Sequence, residues 1–131
     1  MIVLDTHVII WDALASENLS AAAREAIAQA NQADGFIICD ISLWEIAMLL
    51  QKGRLQVDID CITFINLLLQ ANKTIVQSIS PQIATLAAQF PEPINKDPAD
   101  RLIAATTVTE NATLITADRN LQNSTLIPTL W

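Results

Sequence analysis

The sequence predicts an α/β protein, a mostly parallel sheet with helices packed against it. Three observations carry that prediction. Short runs rich in Ile and Val are bounded by polar or turn residues; longer apolar patterns at helical spacing lie between them; and the two kinds of segment alternate along the chain. Strands separated by helices pair in parallel through crossovers, which covers both faces of the sheet. The order in which the strands pair is not legible from the chain.

The elements follow in sequence. Met1–Leu4 is the first strand, and Asp5 stands at its carboxyl end, before a helix. Ser20 precedes AAAREAIAQA as a helix cap. Gly35–Cys39 (GFIIC) is the second strand, and Ser42 opens LWEIAMLLQK, which Gly53 ends. Ile59–Gln70 is apolar at helical spacing, and Thr74–Ser78 (TIVQS) is the third strand. Ser80-Pro81 and Asp97-Pro98 each place a capping side chain before a proline at the first helical position, opening QIATLAAQF and ADRLIAATTVTE. Ala112–Thr116 (ATLIT) and Ser124–Ile127 (STLI) complete the expected strands.

Composition bounds the function. With 131 residues, 52% hydrophobic and 16% charged, residues 1–131 are expected to form one domain that buries a core without disulfide or metal staples. Seven basic residues against 14 acidic ones give a net charge of −7, which argues against a nucleic-acid binder unless the acids gather around a cation. Cys39 and Cys61 lack metal-ligand spacing and read as reduced thiols. Met1 leads straight into the first strand with no signal-peptide pattern, and the longest uncharged stretch, Thr74–Pro91, is broken by Gln, Ser, Thr and Pro. The expectation is a soluble, cytoplasmic protein.

The acids hold the chemistry. In parallel α/β sheets, ligands bind beyond the carboxyl ends of the strands. Asp5 ends the first strand in LDTH. Glu45 follows the second, although Ser42-x-x-Glu45 also reads as a capping box. In NKDPADRLIAA, Asp97 falls at the helix cap, so Asp100, one turn further in, cannot be the cap. It complements the helix dipole or meets a partner or cation. Asp118 follows the fourth strand in LITADRN. Four acids converging without a cation would raise one another's pKa values, and a hard divalent ion with oxygen ligands resolves that conflict. Such a site suits phosphodiester hydrolysis. His7 is the only histidine, read as a hydrogen-bonding support with general-base work as the alternative. Trp11, Trp44 and Trp131 read as packing residues rather than base-stacking platforms.

The motifs LDTHVIIW, LSAAAREAI, SLWEIAMLLQKGRL, DPADRLIAA and LITADRNL, in that order over nearly the whole chain, resemble PIN-domain ribonucleases of the VapC type, the toxins of type II toxin–antitoxin pairs. The resemblance implies a PIN-like three-layer fold and a Mg²⁺- or Mn²⁺-dependent endoribonuclease. It places the metal ligands on Asp5, Glu45, Asp100 and Asp118, with Thr6, Asp97 and Thr116 in support. It also implies RNA as substrate, a cognate antitoxin and a homodimer. Lys96, Arg101 and Arg119 flank the acids and are candidate RNA phosphate contacts. Relatives often carry His or Arg before the DP pair, where this chain has Asn95 and Lys96, and some carry a lysine after WEIA, where it has Met48-Leu49-Leu50.

Two other α/β classes lack their signatures here. A phosphoacceptor receiver needs adjacent acids after the first strand and a lysine after the last, and a haloacid-dehalogenase-like phosphatase needs Asp-x-Asp where Asp5-Thr6-His7 stands. The remaining alternative is a catalytically inactive PIN fold that serves only as an antitoxin-binding or scaffold module.

Overall fold

In the computed structural model, which describes all 131 residues, five strands form one sheet. They are β1 (Ile2–Leu4), β2 (Phe36–Cys39), β3 (Thr74–Gln77), β4 (Thr113–Ile115) and β5 (Thr129–Leu130). Every pairing is parallel, in the order β3-β2-β1-β4-β5. Seven helices connect them: α1 (Thr6–Leu14), α2 (Ala21–Gln32), α3 (Ile41–Gln51), α4 (Cys61–Ala71), α5 (Pro81–Gln89), α6 (Pro98–Thr109) and α7 (Arg119–Asn123).

Strand alternation divides the core in two. Val3, Ile37 and Leu114 point to one face, where Ile83 and Ala87 of α5, Ile103–Ala105 of α6 and Leu121 of α7 cover them. Leu4, Phe36, Ile38 and Ile115 point to the other, against Val8–Ile10, Ile27, Ile46 and Phe64 of α1 to α4. Successive side chains on a strand face opposite ways, so two adjacent apolar residues need two helical layers to bury them. The three-layer expectation therefore holds.

Local chemistry explains most helix starts. Ser20 Oγ accepts from Ala23 N at 3.0 Å, Ser80 Oγ from Ile83 N at 3.1 Å, and Asp97 Oδ1 from Ala99 N at 2.9 Å. Gly53, at φ +70°, reverses the chain after α3, and Arg54 N donates to Leu49 O at 3.0 Å. Gly35 has φ +92°, and a Cβ there would lie 2.1 Å from the Lys73 carbonyl oxygen, so β2 begins where only glycine fits.

Two expected elements are corrected. Ser124–Ile127 is not a strand: Ser124 caps the end of α7, Ile127 buries into the core, and the fifth strand forms after Pro128. Helix α3 starts at Ile41, two residues earlier than its Ser42 cap predicts: Asp40 occupies the cap position without a side-chain cap bond, and Ser42 lies inside the first turn. No helix is long and apolar enough to cross a membrane.

Strand β1 is the middle strand, and the chain leaves it toward β2 and β3 on one side but toward β4 and β5 on the other. The crevice beyond the carboxyl ends of β1 and β4 is the switch point where such sheets bind ligands. α6 crosses this sheet on small residues. Ala104, Ala105, Thr106 and Thr107 are fully buried, and the two hydroxyls turn back to Leu102 O and Ile103 O at 2.8 and 3.0 Å. Close passage of α6 brings the helix mouth, and Asp100 with it, to the same edge.

Candidate active site

Asp5 is 8% exposed, and both its oxygens are engaged: Oδ1 accepts from Thr6 N at 2.8 Å and Oδ2 from the Thr116 hydroxyl at 2.7 Å. The same Thr116 oxygen accepts from Asp118 N at 3.0 Å. One hydroxyl thus ties the end of β1 to the turn after β4 and fixes where Asp118 leaves the strand. Asp118 Oδ1 caps α7 through Leu121 N at 3.1 Å, which leaves Oδ2 to face Asp100 across the Asn95 side chain.

Glu45 does not close a capping box. The Thr6 hydroxyl donates to Glu45 Oε1, and the Ser42 and Thr6 hydroxyl oxygens lie 2.8 Å apart. Because Thr6 has one hydroxyl proton and spends it on Glu45, Ser42 is the donor to Thr6. This buried relay from Ser42 through Thr6 points Glu45 at the carboxyl end of β1. Sequence spacing explains Ser42 and Glu45 by a local bond; the fold uses both over a longer range.

Electrostatics joins these acids into one group. Burial raises the Asp5 and Glu45 carboxyls above their ordinary values, against the opposing bonds from Thr116 and Thr6 respectively; Asp118 adds to the rise at Asp5, and Asp97 and Asp5 add to it at Glu45. Asp100 is pushed up to about 7: burial raises it most, the charges of Asp5, Asp97 and Asp118 add to the rise, and the hydrogen bond from Asn95 opposes it. The sequence-predicted acids Asp5, Glu45, Asp100 and Asp118 are therefore brought together, with Asp97 capping α6 beside them.

The donor chemistry suits a hard divalent cation. Carboxylate and hydroxyl oxygens make up the whole set, and positive charge is what their mutual repulsion lacks. As placed, no group of three or more His, Cys, Asp or Glu side chains is closed tightly enough to hold an ion. Between Asp100 and Asp118 stands instead the Asn95 amide, its Nδ2 3.0 Å from one carboxylate and 2.9 Å from the other. Sequence reading misses this residue as a part of the site, because nothing local to Asn95 foretells contacts across the crevice.

The flanking cations divide. Lys96 and Arg119 are exposed, and Lys96 lies 3.9 Å from Glu92 in a solvated pair. Arg101 corrects the expectation of a phosphate contact: its Nε donates to Ala87 O at 3.0 Å, and its terminal nitrogens reach the carbonyls of Phe90, Ile94 and Asn95. The guanidinium is a clamp on the loop before α6. His7 is exposed and lies 5.9 Å, ring to ring, from Trp11, which stands 5.9 Å from Trp131. Trp44 is 58% exposed, which corrects its reading as a packing residue. An apolar cavity of about 750 Å³, lined by Ile9, Leu43, Phe64 and Leu68 among others, contains none of the four acids.

Residues 2–124 match the PIN domain family model. The chain is 34% identical over 122 residues to Ribonuclease VapC22 of Mycobacterium tuberculosis, covering 93% of this chain and 90% of that protein. Among solved structures, it resembles VapBC2 from Rickettsia felis bound to a promoter DNA fragment, with a TM-score of 0.74 at 15% identity over 99% and 98% of the two chains. It also resembles FitAcB from Neisseria gonorrhoeae, with a TM-score of 0.69 at 18% identity over 100% and 97%.

Proposed function

This chain belongs to the PIN-domain family, and from that premise we propose that it is a divalent-cation-dependent endoribonuclease of the VapC type, the toxin of a toxin–antitoxin pair. The observation that carries the reading is the convergence of Asp5, Glu45, Asp100 and Asp118 at the switch-point edge, where burial first, and then the charges of Asp5, Asp97 and Asp118, push Asp100 up to about 7. Clustered acids in that state are built to receive positive charge.

Asp5, Glu45, Asp100 and Asp118 would hold Mg²⁺ or Mn²⁺. Such a cation, when bound, supplies an activated water and neutralises charge developing on a phosphodiester. The chain's own residues do the rest. Thr116 holds Asp5 and the Asp118 backbone in one register, Thr6 and Ser42 hold Glu45, and Asp97 fixes the start of α6 so that Asp100 faces the crevice. Exposed Lys96 and Arg119 flank the acids in sequence and would draw RNA phosphates toward them. In-line attack of water on the phosphorus would break the P–O3′ bond, with the leaving oxygen taking up a proton, and so leave a 3′-hydroxyl and a 5′-phosphate. The net charge of −7 suits a basic antitoxin segment, and the proposal extends to a homodimer acting in the cytoplasm.

The test is cleavage of a mixed RNA by the purified chain, free of antitoxin, with Mg²⁺ or Mn²⁺ and with EDTA. Cutting with either ion, suppressed by EDTA and ending in 5′-phosphates, is the expected result. Cutting that continues in EDTA overturns cation dependence. A folded chain that captures its antitoxin yet cuts no RNA would favour the inactive scaffold.

A further inference from the structure

The Asn95 side chain sits between two acids, and its surroundings say why. Asp100 Oδ2 and Asp118 Oδ2 lie 3.0 and 2.9 Å from one nitrogen. The amide turns its NH₂ toward them, one N–H to each. Side chains 18 residues apart in sequence are thereby held across the crevice by a single neutral donor.

The backbone of Asn95 is held on both sides. Its N–H donates to Asn120 Oδ1 at 2.8 Å, and the Asn120 amide donates in turn to Pro93 O at 2.6 Å. Its carbonyl accepts from Arg101 at 3.4 Å, within the clamp that also grips Ile94 and Phe90. Ile94 beside it is buried. With the main chain fixed, the freedom left to Asn95 is rotation of its side chain, and a half-turn of the amide exchanges Nδ2 for Oδ1 without moving the loop. An amide oxygen is the kind of ligand that hard divalent cations accept.

We propose that Asn95 is a positioning residue for the cation centre: it holds Asp100 and Asp118 together as an NH₂ donor when no cation is present, and turns its Oδ1 to the site when one binds. This rests on the cation reading of the site given above. One side chain thus serves both states, so Asp100 and Asp118 need not spring apart between them. Arg101 and Asn120 act through Asn95 by fixing its backbone.

The experiment is Mn²⁺ titration calorimetry and thermal melting, with EDTA and with Mn²⁺, on the full chain as wild type, Asn95→Ala and Asn95→Asp. Removing a side chain that orients metal ligands costs about tenfold or more in metal affinity. Asn95→Ala is expected to bind Mn²⁺ at least that much more weakly while melting as a single cooperative transition. Asn95→Asp replaces the donor by a third acceptor: it is expected to melt below wild type in EDTA, and to gain more in melting temperature on adding Mn²⁺. Asn95→Ala binding at wild-type affinity, or Asn95→Asp matching wild type in both melts, overturns the proposal. A wild type that takes up no Mn²⁺ brings down the cation reading itself, a separate and distinguishable failure.

Discussion

Asp100→Asn should stabilise the cation-free protein, and the structure gives the sign and size. The Asp100 carboxyl is pushed from its ordinary 3.8 up to about 7 in the fold, by burial first and then by the charges of Asp5, Asp97 and Asp118. Below pH 3.8 it is protonated whether folded or unfolded, and nothing is lost. Between 3.8 and 7 the folded chain binds a proton that the unfolded chain has released, so stability falls as pH rises. Above 7 the loss is complete. Fully expressed, this displacement is worth about 4 kcal/mol, and solvent screening of a half-buried group brings it to about 2 kcal/mol. Asparagine keeps the shape and an acceptor oxygen for Asn95 without the charge. Urea unfolding in EDTA at pH 4 and pH 8 reads the difference: wild type and Asp100→Asn should agree within error at pH 4, and the variant should be more stable by about 2 kcal/mol at pH 8. An Asp100→Asn variant that is equally or less stable at pH 8 would refute the claim that this carboxylate is held against its charge.

Other substitutions separate support from ligation. Asp97→Ala removes the α6 cap and should cost about 1 kcal/mol in urea unfolding, while Mn²⁺ affinity by calorimetry falls less than it does for Asp100→Asn. Thr116→Val strips Asp5 of its hydroxyl partner and leaves the Asp118 N–H without an acceptor. It should lose about 1–3 kcal/mol of stability, and RNA cleavage should drop about tenfold or more as the ligands lose their register. Gly35→Ala forces a Cβ against the Lys73 carbonyl at a positive φ; a melting temperature within a degree of wild type would contradict the close approach of β2 to that turn.

Much of the fold was legible because its signals are local. The strand cores IVL, FIIC and TLI are apolar on successive residues, which only a sheet covered on both faces can bury, whereas the edge strand TIVQ leaves Ile75 and Val76 exposed; Ser20, Ser80 and Asp97 cap the helices they precede. The fifth strand was misplaced because two residues after Pro128 carry no periodicity, whereas STLI does. Strand order depends on which crossover each helix makes, and no residue records that. In the site, the acids could be placed by the rule that chemistry gathers at strand ends. The contacts that orient them could not: Thr6 reaches Glu45 across 39 positions, Thr116 reaches Asp5 across 111, and Asn95 reaches Asp118 across 23. Arg101 looked available for phosphate because its neighbours in sequence are acids, yet its partners are carbonyls at the end of α5 and in the loop before α6. Long side chains are the hardest to place from sequence, since their ends lie far from their own backbone.

The central claim is that these converged carboxylates make the chain a cation-dependent ribonuclease, and one comparison tests it most directly. Wild type and Asp100→Asn, each shown to be folded, are incubated with the same mixed RNA in Mn²⁺. The account predicts cleavage by wild type and none above background by the variant. Equal cleavage by the two proteins would contradict it.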